Sequence, residues 1–380
     1  EGMLIGRAVG PFSANVHSSI PGRVRELTEI YLPNGVRTKA AVIQFEGEFD
    51  RSGKSVVAQE WESLTPQQLL DVIRDQGVVG LGGATFPTPI KLAIREGSSV
   101  EFFVMNGVEC EPFLSADDRL MLEKTGELLE GIAIIARILA PRRVLIGIEA
   151  NKPDAIEVMQ KAVAKRGLDY EVVPLRVRYP QGDEKQLLKV LTGREVPSGG
   201  LPLDIGAVVS NAGTVFAIYE AVVLKKPLIE RIVTVTGPIL ARPGNFKVRL
   251  GTPVSVLIEE CGGFTEPPGK LVAGGPMMGF ALADLEQRHG NRHLAAAIGV
   301  ACIMRHGPER GRQVFRGVGA VILGREGNWN QRRSSPRPIL RRIEALAAQR
   351  VGDQRLGLVI LPPHAAGVEA MGNIARGGLA

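Results

Sequence analysis

The stretch RRVLIGIEANKPDAIEVMQKAVAKRGLDYEVVPLRV, from Arg142 to Val177, decides the fold. RRVLIGIEA is a short, mostly apolar run without strict alternation, the pattern of a strand covered on both faces. KPDAIEVMQKAVAKRG reads as a helix and YEVVPLRV as a second strand. A helix between two such strands is the connection that parallel strands require. The alternation continues in both directions. Upstream, SVEFFVMNG is an apolar run ending in Asn-Gly, and DDRLMLEKTGELLEGIAIIARIL reads as one long helix capped by Asp117 or Asp118. Downstream come the helix DEKQLLKVLTG, the loop REVPSGGLPLDIG, and a strand and helix in AVVSNAGTVFAIYEAVVL. Repeated strand–helix units predict a layered α/β domain with a largely parallel sheet.

The flanks differ. Residues up to about 55 read as short strands, MLIGRAV, GRVRELTEIYL and KAAVIQFEG, which suit a small β-sandwich or barrel module. TPQQLLDVIRDQG follows as a helix with Thr65 at the N-cap and Pro66 at its first position. From 230 to about 280, RIVTVTG and NFKVRLG read as a hairpin, TPVSVLIEECGG as a helix and LVAGGPMMG as a returning strand, a small α+β module. The last hundred residues have no lysine or tyrosine, hold four of the five histidines, and give no readable fold.

Composition narrows the function. The 380 residues are 44% hydrophobic and 23% charged, the balance of a globular protein. No apolar run approaches a membrane span. Three distant cysteines, Cys110, Cys261 and Cys302, argue against a disulfide framework and suit a reducing compartment. The net charge of +6 comes with a late arginine excess that lacks interleaved aromatics or a nucleic-acid motif, so no nucleic-acid partner is expected. The chain opens on EGMLIGRAVG without an initiator Met, a start that suits an internal fragment.

Three clusters carry candidate chemistry. In GVVGLGGATFPTPIKL, Gly77 to Leu92, Thr85 stands where a dinucleotide fingerprint needs its third glycine, and a helix rather than a strand precedes the loop. Thr88 reads as the N-cap of a following helix with Pro89 behind it, so the loop and helix start could bind phosphate with help from Lys91; the alternative is a tight turn. NGVECEPFLSADDR brings Glu109 and Glu111 to the end of an apolar strand, where they suit ribose or ribityl hydroxyls; Glu111 is equally readable as a solvated turn residue. Asp183 and Glu184 begin a helix, either as its cap or as ligand contacts.

Together, GLGGATFPTPIKL, NGVECEPFLSADDRLM, YPQGDEKQLLKVLTGREVPSGGLP, SNAGT and GGPMMGF resemble, in order, the RnfC family of the Rnf ion-translocating electron-transport complex, and more distantly the NADH-oxidising flavin subunit of respiratory complex I. The resemblance covers about residues 1 to 285. It implies a barrel-sandwich (biotinyl/lipoyl-like) fragment over 1–55, a Rossmann-like FMN- and NADH-binding domain over 56–228, a β-grasp (SLBB-type) domain over 229–285 and an atypical arginine-rich tail over 286–380.

By the same resemblance, Gly80, Gly82, Gly83 and Ala84 line the FMN, with Lys91 near its phosphate. Asn106 and Glu109 contact the flavin or its ribityl chain, while Val108 replaces an acid of the complex I subunit. Tyr179, Gly182, Asp183 and Glu184 form the far wall, and Asn211 and Thr214 the phosphate side; Ser210 stands where asparagine is more usual. Phe86 stacks on NAD(H), and Glu111 and Glu184 serve that substrate. No side chain is expected to act as a catalytic acid or base, and no metal ligand is assigned.

The implied setting is an oxidoreductase subunit moving electrons between NAD(H) and a one-electron, ferredoxin-type carrier. Its expected place is peripheral, on the cytoplasmic face of the inner membrane, among other subunits of the complex. The family also carries 4Fe-4S clusters after GGPMMG, in C-x-x-C-x-x-C-x-x-x-C-P runs. Here only Cys302 lies in that region, which reads either as a divergent member or as a frame shift near residue 287. A soluble flavoprotein like cobalamin reductase, and a non-catalytic assembly module, are the alternatives.

Overall fold

The computed structural model describes residues 1–282 except 11, 32–36, 50–59 and 95–96, together with four later strands. At the N-terminus, β1 (Leu4–Gly6) pairs with β2 (Val16–His17), and β3 (Gly22–Tyr31) pairs antiparallel with β4 (Arg37–Phe45). α1 (Pro66–Asp75) starts as its sequence predicts. Thr65 Oγ1 accepts the Gln68 N–H, and Gln68 Oε1 accepts the Thr65 N–H, a reciprocal cap. α2 (Thr88–Leu92) follows the glycine-rich loop.

The α/β domain contains β5 (Phe102–Gly107), α3 (Ala116–Glu123), α4 (Thr125–Leu139), β6 (Arg143–Glu149), α5 (Pro153–Lys165), β7 (Tyr170–Leu175), α6 (Glu184–Thr192), β8 (Ala207–Asn211) and α7 (Ala212–Val222). Its four strands are all parallel, in the order β7-β6-β5-β8. Alternation along β5 and β6 divides the core. Phe103, Met105, Ile146 and Ile148 face α1, α3, α4, α5 and α7, whereas Phe102, Val104 and Leu145 face α6. The predicted single helix from 117 to 139 is two, α3 and α4, broken at Lys124. Neither Asp117 nor Asp118 caps it. Ser115 occupies the cap position without a capping bond, its hydroxyl being paired with Asn245, and Glu109 reaches in to take the free N–H groups.

The third region has β9 (Glu230–Thr236), β10 (Gly244–Arg249), α8 (Val254–Glu260), β11 (Lys270–Ala273) and β12 (Phe280–Leu282), with its own core around Phe246. β9 and β10 form the expected hairpin. The returning strand β11 does not join it directly, because β13 (Val300–Met304) lies between β11 and β9. β14 (Leu340–Arg342) extends the other edge beside β10, and β15 (Gln349–Val351) and β16 (Gln354–Ile360) extend the β3–β4 sheet. These strands come from the segment that gave no readable fold; the rest of 286–380 lies outside the described residues.

Candidate functional site

The strand order fixes where a ligand belongs. Chain connections leave β5 toward β6 on one side and reach β8 on the other, so a crevice opens above the carboxyl ends of β5 and β8. Asn106 lies at the end of β5 and Asn211 ends β8. The glycine-rich loop lies on this crevice: Leu81 N–H donates to Thr214 Oγ1 at 2.9 Å, and a Cβ on Gly82 would come within 3.1 Å of Asn211 Cβ. Only glycine permits that approach without movement. Gly80 N–H donates to the Phe86 carbonyl and closes the turn. Gly82, Gly83 and Ala84 are exposed, and among the described residues their N–H groups meet no acceptor. Thr85 adopts φ 53°, the left-handed region that disfavours a β-branched residue.

The helix start expected to hold phosphate is not available. α2 has five residues, Pro87 rather than Thr88 is its cap, and Pro89 has no N–H. Thr88 N–H goes to the Val78 carbonyl, while Ile90 and Lys91 N–H go to that of Pro87. The unspent N–H groups beside the crevice are therefore those of the loop, not of the helix start. Lys91 stands beside it, with Nζ 2.6 Å from Glu184 Oε1 in a half-exposed ion pair.

The other expected residues converge on the same edge, several with work already to do. Asn106 Nδ2 donates to the Gly182 carbonyl at 3.0 Å and its Oδ1 accepts the Val108 N–H, which fixes the far wall to β5. A Cβ on Gly182 would sit 2.9 Å from the Val108 carbonyl oxygen. Asp183 caps α6 by accepting the Lys185 and Gln186 N–H groups, so its capping reading holds. Asn211 caps α7 and donates to Asp117 Oδ2 at 2.7 Å. Tyr179 lies near Glu111 and Cys110; loss of hydration and these neighbours raise its pKa. Phe86 remains exposed, with the Phe12 ring 6.1 Å away and tilted.

Glu109 and Glu111 are less free than the sequence suggests. Glu109 accepts the Asp117 and Asp118 N–H groups at 3.0 and 2.9 Å, capping α3 from outside. Burial, with the adjacent Asp117 charge, pushes its pKa up to about 8. Glu111 accepts the Met277 and Met278 N–H groups at 2.8 and 3.0 Å and so ties the α/β domain to the turn after β11.

Sequence reasoning missed Glu149 and Lys152. Glu149 is only 1% exposed, and among the described residues its Oε1 has no hydrogen-bond partner; burial raises its pKa to about 7, opposed by Lys152. Lys152 Nζ lies 3.9 Å from Glu109 and 3.7 Å from Asp118. The signal was present: Glu149 closes the apolar run over residues 144–148, just as Asn106 nears the end of its neighbour. Among the described residues no His, Cys, Asp and Glu group is arranged to hold a metal ion. A four-iron cluster needs several thiolates, and the three cysteines of the sequence, far apart, do not fit one.

Comparison with known proteins matches residues 73–220 to the Nuo51 FMN-binding domain and residues 232–281 to the SLBB domain. The chain is 45% identical over 286 residues to the C subunit of the proton-translocating ferredoxin:NAD(+) oxidoreductase complex of Clostridium ljungdahlii, covering 75% of this chain and 62% of that protein. It is 40% identical over 279 residues to the C subunit of the Na(+)-translocating ferredoxin:NAD(+) oxidoreductase complex of Acetobacterium woodii, covering 73% and 62%. With the C subunit of the ion-translocating oxidoreductase complex of Rhodobacter capsulatus the identity is 42% over 286 residues, covering 75% and 55%. The chain thus spans under two thirds of the length of these curated relatives. In fold it resembles an NAD+-reducing [NiFe]-hydrogenase crystal structure, with a TM-score of 0.52 and 22% identity over 63% of this chain and 46% of that one.

Proposed function

We infer the function from a premise: over its aligned residues this chain belongs to the RnfC family, the C subunits of ion-translocating ferredoxin:NAD oxidoreductases, and it contains that family's FMN-binding and SLBB domains. We propose that it binds FMN in the β5/β8 crevice and passes electrons between NAD(H) and a one-electron carrier. The observation that carries this reading is the glycine loop seated over the crevice, with the N–H groups of Gly82, Gly83 and Ala84 unspent among the described residues. Those donors and the orphaned buried polar atoms at the same edge fit a nucleotide.

Bound flavin supplies the exchange between two-electron nicotinamide and one-electron carrier chemistry. The chain supplies binding and orientation. Gly80 shapes the loop turn, and Gly82, Gly83 and Ala84 bind the phosphate-bearing end, Lys91 adding charge by exchanging Glu184 for the anion. Asn211 and Thr214 hold the loop in place, and Asn106 and Glu109 fix the floor. Tyr179, Gly182, Asp183 and Glu184 bound the far side. Phe86 offers the nicotinamide nucleotide an exposed face, with Glu111 and Glu184 nearby as ribose acceptors. No helix among the described residues is long and apolar enough to cross a membrane. The proposed place of the chain is that of a peripheral subunit held by partner proteins on the cytoplasmic face of the inner membrane.

The test is direct. The purified chain with added FMN is expected to retain flavin absorbance through gel filtration and to bleach on anaerobic addition of NADH. Failure to retain FMN would sink the reading and leave an assembly module, the alternative that the scarcity of cysteines favours.

A further inference from the structure

Among the described residues, three buried polar groups at one edge of the sheet lack partners. Glu149 Oε1 and Asp118 Oδ1 are acceptors without donors, and Gln181 Nε2 is a donor without an acceptor. Glu149 is 1% exposed and Gln181 8%. An unmet buried polar group of this kind costs about 1–3 kcal/mol, and each one in a well-packed domain calls for a partner.

Their positions locate a subsite. Glu149 ends β6 and, by strand alternation, lies on the same face as Leu145, the face that carries Asn106 on β5. Gln181 adjoins Gly182, whose carbonyl Asn106 holds. Cys110 feels the charge of Glu149 and takes a backbone bond at Gly182, which links the two segments. Asp118 opens the first turn of α3, and Lys152 stands within 4 Å of it while acting on Glu149 as well.

The chemistry of the missing partner follows. Two acceptors and one donor suit a group that both gives and takes hydrogen bonds. An anion would meet two carboxyls, and no metal-binding group is formed among the described residues. Hydroxyls, which both donate and accept, match this set of atoms, and Lys152 can donate to a hydroxyl oxygen.

We propose that Glu149, Asp118 and Gln181 form a sugar-hydroxyl subsite that holds the polyol part of the bound nucleotide, the ribityl chain of the flavin or a ribose of NAD(H). This rests on the nucleotide-binding reading above. Glu149 is a binding residue that the apo chain keeps at a cost to its own stability.

The test uses the whole chain and Glu149→Leu, with Glu149→Gln as the conservative variant. Dissociation constants are measured by flavin fluorescence for FMN and for lumiflavin, which lacks the ribityl chain, and by titration for NADH. The expected result is a roughly ten- to hundredfold weaker FMN affinity in Glu149→Leu. Lumiflavin affinity stays unchanged, the apo melting temperature stays equal or rises, and Glu149→Gln falls between. If NADH affinity falls and FMN affinity does not, the hydroxyls belong to the dinucleotide ribose, and the subsite stands. Equal losses for FMN and lumiflavin, or no change for any ligand, would overturn it. Failure of the unsubstituted chain to bind FMN or NADH removes the underlying reading instead, and is seen before any variant is made.

Discussion

The ligand edge of the α/β sheet and the seam between that domain and the β9–β12 region both bury charged groups, yet treat them in opposite ways. In the seam, Lys226 and Lys247 meet Glu220 and Glu230, and every one of the four has an opposite charge within 3.4 Å or closer. Burial alone would pull the Lys226 pKa down, but the two glutamates outweigh it and raise it. At the ligand edge, Lys152 reaches its carboxylates only at 3.7 and 3.9 Å, and Glu149 Oε1 and Asp118 Oδ1 have no donor among the described residues. A low-dielectric interior makes satisfied charge stabilising and unsatisfied charge costly. The seam therefore holds its two regions together by satisfied charge, and the edge, on the proposal above, is completed by the bound nucleotide.

Disrupting the seam gives the largest effect. Lys226→Met leaves two buried carboxylates sharing Lys247 and is expected to cost about 3 kcal/mol, read as a lowered urea midpoint at unchanged slope. A loss under about 1 kcal/mol would mean the network is solvated and the contrast false. Glu111→Ala comes next. It removes two charge-assisted bonds to the Met277–Met278 turn and should cost about 2 kcal/mol. Limited proteolysis should then cut near the exposed Met278. An unaltered cleavage pattern would deny the tether.

The edge has its own signature in pH. Glu109 and Glu149 have pKa values raised to about 8 and about 7, from an ordinary 4.5. A carboxyl whose folded pKa is raised keeps its proton in the native state after the unfolded chain has lost it. Apo stability from these groups is thus full below about pH 4.5 and declines as pH rises through 7 and 8. The slope is at most about 1.4 kcal/mol per pH unit for each group. Glu149→Leu should flatten the part between pH 4.5 and 7, and a parallel slope in the variant would show that Glu149 is solvated in the native state.

Much of this was legible in the sequence, for physical reasons that also explain the misses. Mostly apolar runs without alternation, such as FFVMNG and RVLIGIE, specify strands buried on both faces, and Thr65 with Pro66 marks a helix start by local bonds alone. Thr88 and Pro89 carried the same local marks, yet tertiary contacts took the decision: Thr88 N–H pairs with Val78, and the cap falls one residue earlier. Glu109 was legible as a carboxylate at a strand end, but not as the cap of α3, because that bond depends on how the strand-end loop folds over the helix. Glu149 escaped notice because a single acid closing an apolar strand looks like solvated surface until its neighbours are known. β13 was invisible because it is defined by the two strands it separates.

The smallest predicted effect sharpens the loop side of the comparison. Thr85 sits at φ 53°, where the Cβ of an L-residue crowds the following carbonyl oxygen at a cost of about 1–2 kcal/mol. Glycine at this position relieves the strain but gains freedom in the unfolded chain, which offsets part of it. Thr85→Gly should therefore stabilise the apo chain by about 0.5–1 kcal/mol, read as a small rise in melting temperature. Thr85→Ala keeps the Cβ and with it most of the strain, so it should give little. If alanine stabilises as much as glycine, the branch rather than the backbone angle is at fault. Thr85 would then act by narrowing the crevice mouth, and FMN affinity in the alanine variant should rise with the stability.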